Sequence, residues 1–268
     1  RPEEMQHVPH YLVDELEPDD EFHVVRFQQM AKEAMKKIYA AGHIPIVVGG
    51  TGFYIQALLY DIDFTDNDND TSLRAELESF AKEHGAEALH EKLREVDQKS
   101  AETIHANNIK RVIRALEFYQ KTGMKISEHN ETERQKESPY QFVYFVLNDD
   151  RENLYRRIDL RVDQMIEEGL VAEVQALKAR GYDRSMVSMQ GLGYKEILDY
   201  LDGACTLEDA IYKIKRDTRH FAKRQITWFK REKHVTWINK KDYNYDEDKI
   251  LEVMLESIQK DILEEQSC

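Results

Sequence analysis

Cysteine is scarce: Cys205 and Cys268 are the only two in 268 residues. They have no metal-ligand spacing and cannot build a disulfide framework, so a reducing cytoplasm is the default setting. Long apolar runs are missing too. None approaches the roughly 20 residues that cross a bilayer. The opening RPEEMQHVPHYLVDELEPDD is charged and polar, unlike a signal peptide. No HExxH, no CxxC and no Walker A loop occurs, and no Ser/His/Asp or Cys/His arrangement suggests itself. Positive charge is in deficit: the formal net charge is −14.

What is present is a soluble, helix-rich composition, 41% hydrophobic and 34% charged, in a chain long enough for one large domain or a core with an insertion. The net charge alone argues against nucleic acid, but binding depends on local fields rather than on the sum. Residues 213–233, KIKRDTRHFAKRQITWFKREK, hold nine Lys or Arg against Asp217 and Glu232. Acid concentrates elsewhere, in DNDND at 66–70 and in the terminal EEQSC. A basic stripe on an acidic protein is a phosphate-contact candidate; a solvated helix face fits the same composition.

Apolar spacing predicts a helix over 22–41, with Phe27, Met30, Ala31, Ala34 and Ile38 on one side and Gly42 as its stop. IPIVV, 44–48, reads as a short buried strand in a parallel βα arrangement. Thr51 is placed to cap the helix that follows. A polar break covers 61–70, and 72–132 is predicted almost wholly helical. YQFVYFVLN (140–148) and HVTWI (234–238) read as strands, 151–180 as one long helix, 206–231 as another, and a terminal helix closes the chain. The expected architecture is α/β: a core of 1–65 and 138–268 interrupted by a helical insertion at 66–137. Three strands make a poor sheet for such a domain.

Five segments can carry chemistry, and each has a plain alternative. GGTG, 49–52, lets backbone approach an anion at a helix N-terminus, or is simply a tight turn. No Lys follows its glycines. Arg157 and Arg161 share a helix face and can grip a diphosphate, or pair with Asp159 and Asp163 on a surface helix. Lys110, Arg111 and Arg114 lie beside an apolar stripe of Ile109, Val112, Ile113, Leu116 and Phe118, as phosphate contacts or as an ordinary amphipathic helix. In QGLGYK, 190–195, Tyr194 can stack on a base or fill a core. In AKRQITWFKR, 222–231, Lys223, Arg224, Gln225, Lys230 and Arg231 interleave with Trp228, a pattern suited to single-stranded RNA, although Trp228 also suits a core.

Six segments occur in order: HVPHYLVD (7–14), IPIVVGGTGFYIQALL (44–59), EVDQKSAETIHANNIKRVIRALEFYQKTG (95–123), YRRIDLRVDQMIEEGLVAEV (155–174), QGLGYKEI (190–197) and TRHFAKRQITWFKR (218–231). Together they resemble the bacterial tRNA dimethylallyltransferases, also called tRNA isopentenyltransferases, over nearly the whole chain. The resemblance implies a P-loop NTPase-like parallel sheet core with a helical insertion domain. It implies transfer of a dimethylallyl group from dimethylallyl diphosphate to N6 of the adenine just 3′ of the anticodon, in tRNAs that read codons beginning with U. The base is flipped to reach the donor, and magnesium helps neutralise the leaving diphosphate. The implied partners are the tRNA anticodon stem-loop and dimethylallyl diphosphate, with no membrane, in a monomeric cytoplasmic protein.

Carried over by motif, Arg161 holds the diphosphate or supports transfer, with Arg157 as helper, and Thr51 lines the reaction channel beside the base. The implied tRNA contacts are Thr51, Arg74, the run Lys110, Arg111, Val112, Ile113 and Arg114, the run Gln190, Gly191, Leu192, Gly193, Tyr194 and Lys195, and the run Lys223, Arg224, Gln225, Ile226, Thr227, Trp228, Phe229 and Lys230. GGTGFY is then a channel wall, and the family's phosphate loop and general-base aspartate are expected upstream of Arg1. On that basis the 268-residue chain by itself is expected not to catalyse transfer. Competing readings are an adenylate isopentenyltransferase acting on free AMP, ADP or ATP, a non-catalytic tRNA-binding protein, and a P-loop nucleotide kinase.

Overall fold

The computed structural model describes residues 5–64 and 72–265. DNDND and the final three residues lie outside it. The chain divides into two compact units, 1–55 with 141–268, and 56–140.

The unit of residues 56–140 is helical. It holds α3 (Ser72–His84), α4 (Ala86–Val96), α5 (Gln98–Thr103), α6 (Ile109–Thr122) and α7 (Ile126–Gln135). Leu77, Ala81, Leu89, Leu93, Val112, Ile113, Ala115 and Leu116 form its core. These positions recur at three- and four-residue spacing, so each helix buries one stripe. Gly123 ends α6 in the left-handed region (φ 71°), where its N–H bonds back to the Tyr119 carbonyl. Asp97 is the polar pin of the unit. Its carboxylate is fully buried and accepts bonds from the N–H and hydroxyl of both Ser100 and Ser127, at 2.7–3.0 Å. One carboxylate thus caps α5 and fixes the start of α7. His90 Nε2 faces the carbonyls of Ala101 and Ile104 at 3.0 and 2.8 Å, closing the end of α5.

The other unit carries a small parallel sheet. β1 (Tyr144–Asn148) pairs with β2 (Val235–Asn239), Tyr144 opposite Val235 and Asn148 opposite Asn239. The same unit holds α1 (Val24–Ala40), α8 (Arg151–Glu167), α9 (Leu170–Ala179), α10 (Tyr194–Leu201), α11 (Leu207–Phe229) and α12 (Glu247–Glu265). A second core joins Val162 of α8, Leu170 and Val174 of α9, Ile197 and Leu198 of α10, and Ala210 and Ile214 of α11. Helix α2 (Gly52–Leu59) contains the division between the units.

Two expectations need correction. The segment 151–180 is two helices, not one, because Gly169 turns the chain at φ 108°, a conformation β-carbon-bearing residues avoid. The run Ile44–Val48 is no strand: Ile44 and Ile46 are 84% exposed and Val48 is 90% exposed. A strand needs a neighbour to satisfy its N–H and C=O groups. Among the described residues β1 and β2 pair only with each other, and no segment pairs with 44–48.

Candidate functional site

In the sheet-containing unit the GGTG turn and α11 meet, which explains the glycines. Gln225 donates from Nε2 to the Gly50 carbonyl at 2.8 Å. A Cβ on Gly50 would fall 2.1 Å from Gln225 Nε2, and one on Gly52 would fall 2.1 Å from Trp228 Cδ1. Neither glycine has a positive φ, so contact rather than turn geometry demands them here. The Phe53 ring stands edge-on to Trp228 at 6.2 Å. Half-buried Trp228 therefore packs one edge against the turn. Thr51, between the glycines, is exposed and gives its carbonyl to the N–H groups of Tyr54 and Ile55.

Beyond the turn, one face of α11 and its C-terminal end line a hollow of about 360 Å³: His220, Lys223, Arg224, Thr227, Trp228 and Arg231. The spacing is helical, three or four residues each time, so the cations share a face. His220 was missed at the sequence level, and its spacing from Lys223 and Arg224 was the available signal. Lys223, Arg224, Thr227 and Lys230 are exposed, while Ile226 is half-buried. Phe229 is buried, its ring edge-on to Tyr144 at 6.3 Å, and is withdrawn from the contact set because it has no free surface to offer.

Helix α8 separates its charges. Asp159 pairs with Arg219 and Asp163 with Lys215, both at 2.6 Å, so the carboxylates face α11. Arg157 and Arg161 occupy another side of the helix and are exposed. Their ion pairs are long: Arg157 to buried Asp149 at 3.8 Å, Arg161 to Glu168 at 3.6 Å. Pairs of that length on exposed groups contribute little and yield readily to an anion that can be bonded bidentately.

The QGLGYK segment leads into α10. Buried Glu196 accepts from the Gly193 N–H at 2.9 Å, which holds the turn at φ 100°. Tyr194 packs on the second core and donates its hydroxyl to Glu173. Burial and that carboxylate push the hydroxyl up to about 12. The half-buried ring is held by this packing and its hydroxyl is engaged, an arrangement that fits the core-filling alternative for Tyr194. Gly193 is buried, and Gly191, Leu192 and Lys195 are half-buried; exposed Gln190 donates to the Arg184 carbonyl at 3.1 Å.

In the helical unit, Lys110 and Arg111 point outward from α6, and Arg114 is half-buried. Val112 and Ile113 are 0% and 3% exposed. They belong to the core and cannot touch a polyanion, so the contact run on α6 narrows to its cations. Arg74 of α3 is shared: it bonds Glu117 through Nε (3.1 Å) and Nη2 (2.8 Å) while its side chain stays partly exposed.

Among the described residues no group of three or more His, Cys, Asp or Glu converges. The described residues offer no ligand set for the expected magnesium. No described helix is long and apolar enough to cross a membrane.

Residues 1–232 match the IPP transferase family. The chain belongs to that family. It is 61% identical over 262 residues to a tRNA dimethylallyltransferase of Lachnoclostridium phytofermentans, an alignment covering 98% of this chain and 84% of that protein. Its structure resembles the tRNA isopentenylpyrophosphate transferase of Bacillus halodurans, with a TM-score of 0.69 and 41% identity over 99% of this chain and 84% of the other. A eukaryotic dimethylallyltransferase captured acting on tRNA superposes with a TM-score of 0.72 at 28% identity, over 88% of this chain and 61% of that one.

Proposed function

We propose that this chain is a tRNA dimethylallyltransferase. It moves a dimethylallyl group from dimethylallyl diphosphate to N6 of the adenine 3′ of the anticodon. The observation that carries the reading is 61% identity, across almost the whole chain, to a protein of that activity.

In the transfer a C–N bond forms at N6, N6 gives up one proton, and the bond from the allylic carbon to the diphosphate oxygen breaks with its electron pair, so negative charge grows on the leaving diphosphate. Arg157 and Arg161, exposed on one side of α8 with only long carboxylate contacts, suit that charge. Two guanidinium forks grip two phosphoryl groups without needing to change protonation. Thr51 projects from a turn held rigid by Gln225 and Trp228, and a fixed wall orients a flipped base better than a loose one. The exposed cations of α6 and α11 suit the RNA backbone. The parallel β1–β2 pair in a helix-rich unit fits a P-loop NTPase-like core, and the scarcity of cysteine fits the cytoplasm.

Acceptor choice tests the reading. Protein carrying this chain is incubated with dimethylallyl diphosphate and either an anticodon stem-loop or AMP, and each acceptor is weighed by mass spectrometry. One added C5H8 unit on the stem-loop is expected. Modification of AMP in preference would replace the reading with an adenylate isopentenyltransferase.

A further inference from the structure

Glu117 stands out on α6. It is an acidic residue, 4% exposed, on a helix side otherwise buried as Val112, Ile113, Ala115, Leu116 and Phe118. Burying a carboxylate is costly unless it is bonded and charge-matched. Here it receives two parallel bonds from Arg74, at 2.8 and 3.1 Å. It also lies one turn from Arg114, whose guanidinium feels both the carboxylate of Glu117 and the charge of Arg74. The Arg74 side chain remains 46% exposed. Among the described residues only two of the five N–H donors of the Arg74 guanidinium are engaged, which leaves outer ones for a further anion.

A helix staple alone does not need this arrangement. Leu77, Ala81, Leu116 and their neighbours already pack α3 on α6, and an apolar pair avoids the desolvation cost of a buried carboxylate. What the carboxylate adds is orientation. It cancels the repulsion between two neighbouring arginines and fixes the plane of one of them.

We infer that Glu117 is a positioning residue for tRNA binding, holding Arg74 in a fixed bidentate pose beside Arg114 so that both guanidinium groups meet the RNA backbone. The inference rests on the tRNA reading above. Glu117 itself touches no RNA, and it acts through Arg74.

The test is a double-mutant cycle on anticodon stem-loop affinity, with thermal melting measured alongside. Glu117→Gln is expected to weaken binding about tenfold, and Arg74→Ala by a similar factor. The double variant should bind no more weakly than Arg74→Ala alone, because the two residues act as one unit. Arg74→Lys should behave like Arg74→Ala, since a lysine keeps the charge but loses the fork. Unchanged affinity in Glu117→Gln with a lowered melting temperature would reduce Glu117 to a structural group and overturn the inference, as would additive losses in the double variant. Arg111→Ala separates the two levels, because Arg111 forms no salt bridge among the described residues. If Arg111→Ala weakens binding and Glu117→Gln does not, the tRNA reading stands and the inference fails. If the wild-type chain and every variant fail to bind, both fail.

Discussion

The apolar stripe of α6 and the apolar run at 44–48 both read as surfaces to be buried, and they end in opposite places. Val112 and Ile113 vanish into the core of the helical unit, while Ile44, Ile46 and Val48 stand in solvent. The difference lies in their partners. A helix satisfies its own backbone and needs only a neighbour for its apolar stripe, which α3 and α4 provide. A strand needs a second strand for its backbone as well, and none of the described segments serves Ile44–Val48. Burial is thus a property of the pair, and only half of the pair is written in the stretch itself.

Substitutions can break this comparison or sharpen it. Leu93→Ala, at a position with no exposure, should destabilise the helical unit by about 2–5 kcal/mol in denaturant melts. Ile46→Ala should shift the same melt by less than about 0.5 kcal/mol. Equal effects would mean that 44–48 is buried in solution.

Asp97→Asn should cost up to about 3 kcal/mol, since an amide nitrogen would then face N–H and hydroxyl donors. The pH dependence follows from the direction of its shift. Although burial alone works the other way, the bonds from Ser100 and Ser127 hold the carboxyl below its usual range. A lowered folded-state pKa gives stability that is complete above the ordinary aspartate value of about 3.9 and is lost as pH falls through the folded one. The wild-type helical unit should therefore weaken below about pH 4, and Asp97→Asn should remove that part of the acid transition.

Gly52→Ala should cost about 2 kcal/mol by pushing its methyl into Trp228, read as a lowered melting temperature with blue-region Trp fluorescence lost. A Gly42→Ala control meets no neighbour and tests backbone strain alone, at φ 77°. Tyr194→Phe is the mildest, about 1 kcal/mol at neutral pH. The folded hydroxyl holds its proton to about 12. Its stabilising share is therefore present below the ordinary value near 10 and fades as pH rises toward 12, where wild type and Tyr194→Phe should converge.

Much of this was legible in the sequence, for reasons that differ by residue. The helices of 72–132 announced themselves by periodicity, and of the two segments that read as strands, β1 falls inside 140–148 and β2 overlaps 234–238. Gly169 hid a break inside a continuous helical pattern, because one glycine barely disturbs the count. The order of six motifs pointed to the family. It could not separate Lys110 and Arg111 from Val112 and Ile113, since a contiguous motif ignores which way each side chain faces. Nor could it show that Arg74 is shared with Glu117, forty-three residues away. Conversely, Asp159 and Asp163 looked like partners of Arg157 and Arg161 by proximity in sequence, yet the fold turns them toward Lys215 and Arg219.

The measurement that bears most directly on the reading is anticodon stem-loop affinity as a function of salt. The chain carries a net charge of −14, so binding must come from local cations on α6 and α11. The logarithm of the association constant should fall linearly with the logarithm of salt, and Arg111→Ala and Lys223→Ala should each lower the slope by about one unit. Affinity that ignores salt, or a slope that neither substitution changes, would contradict it.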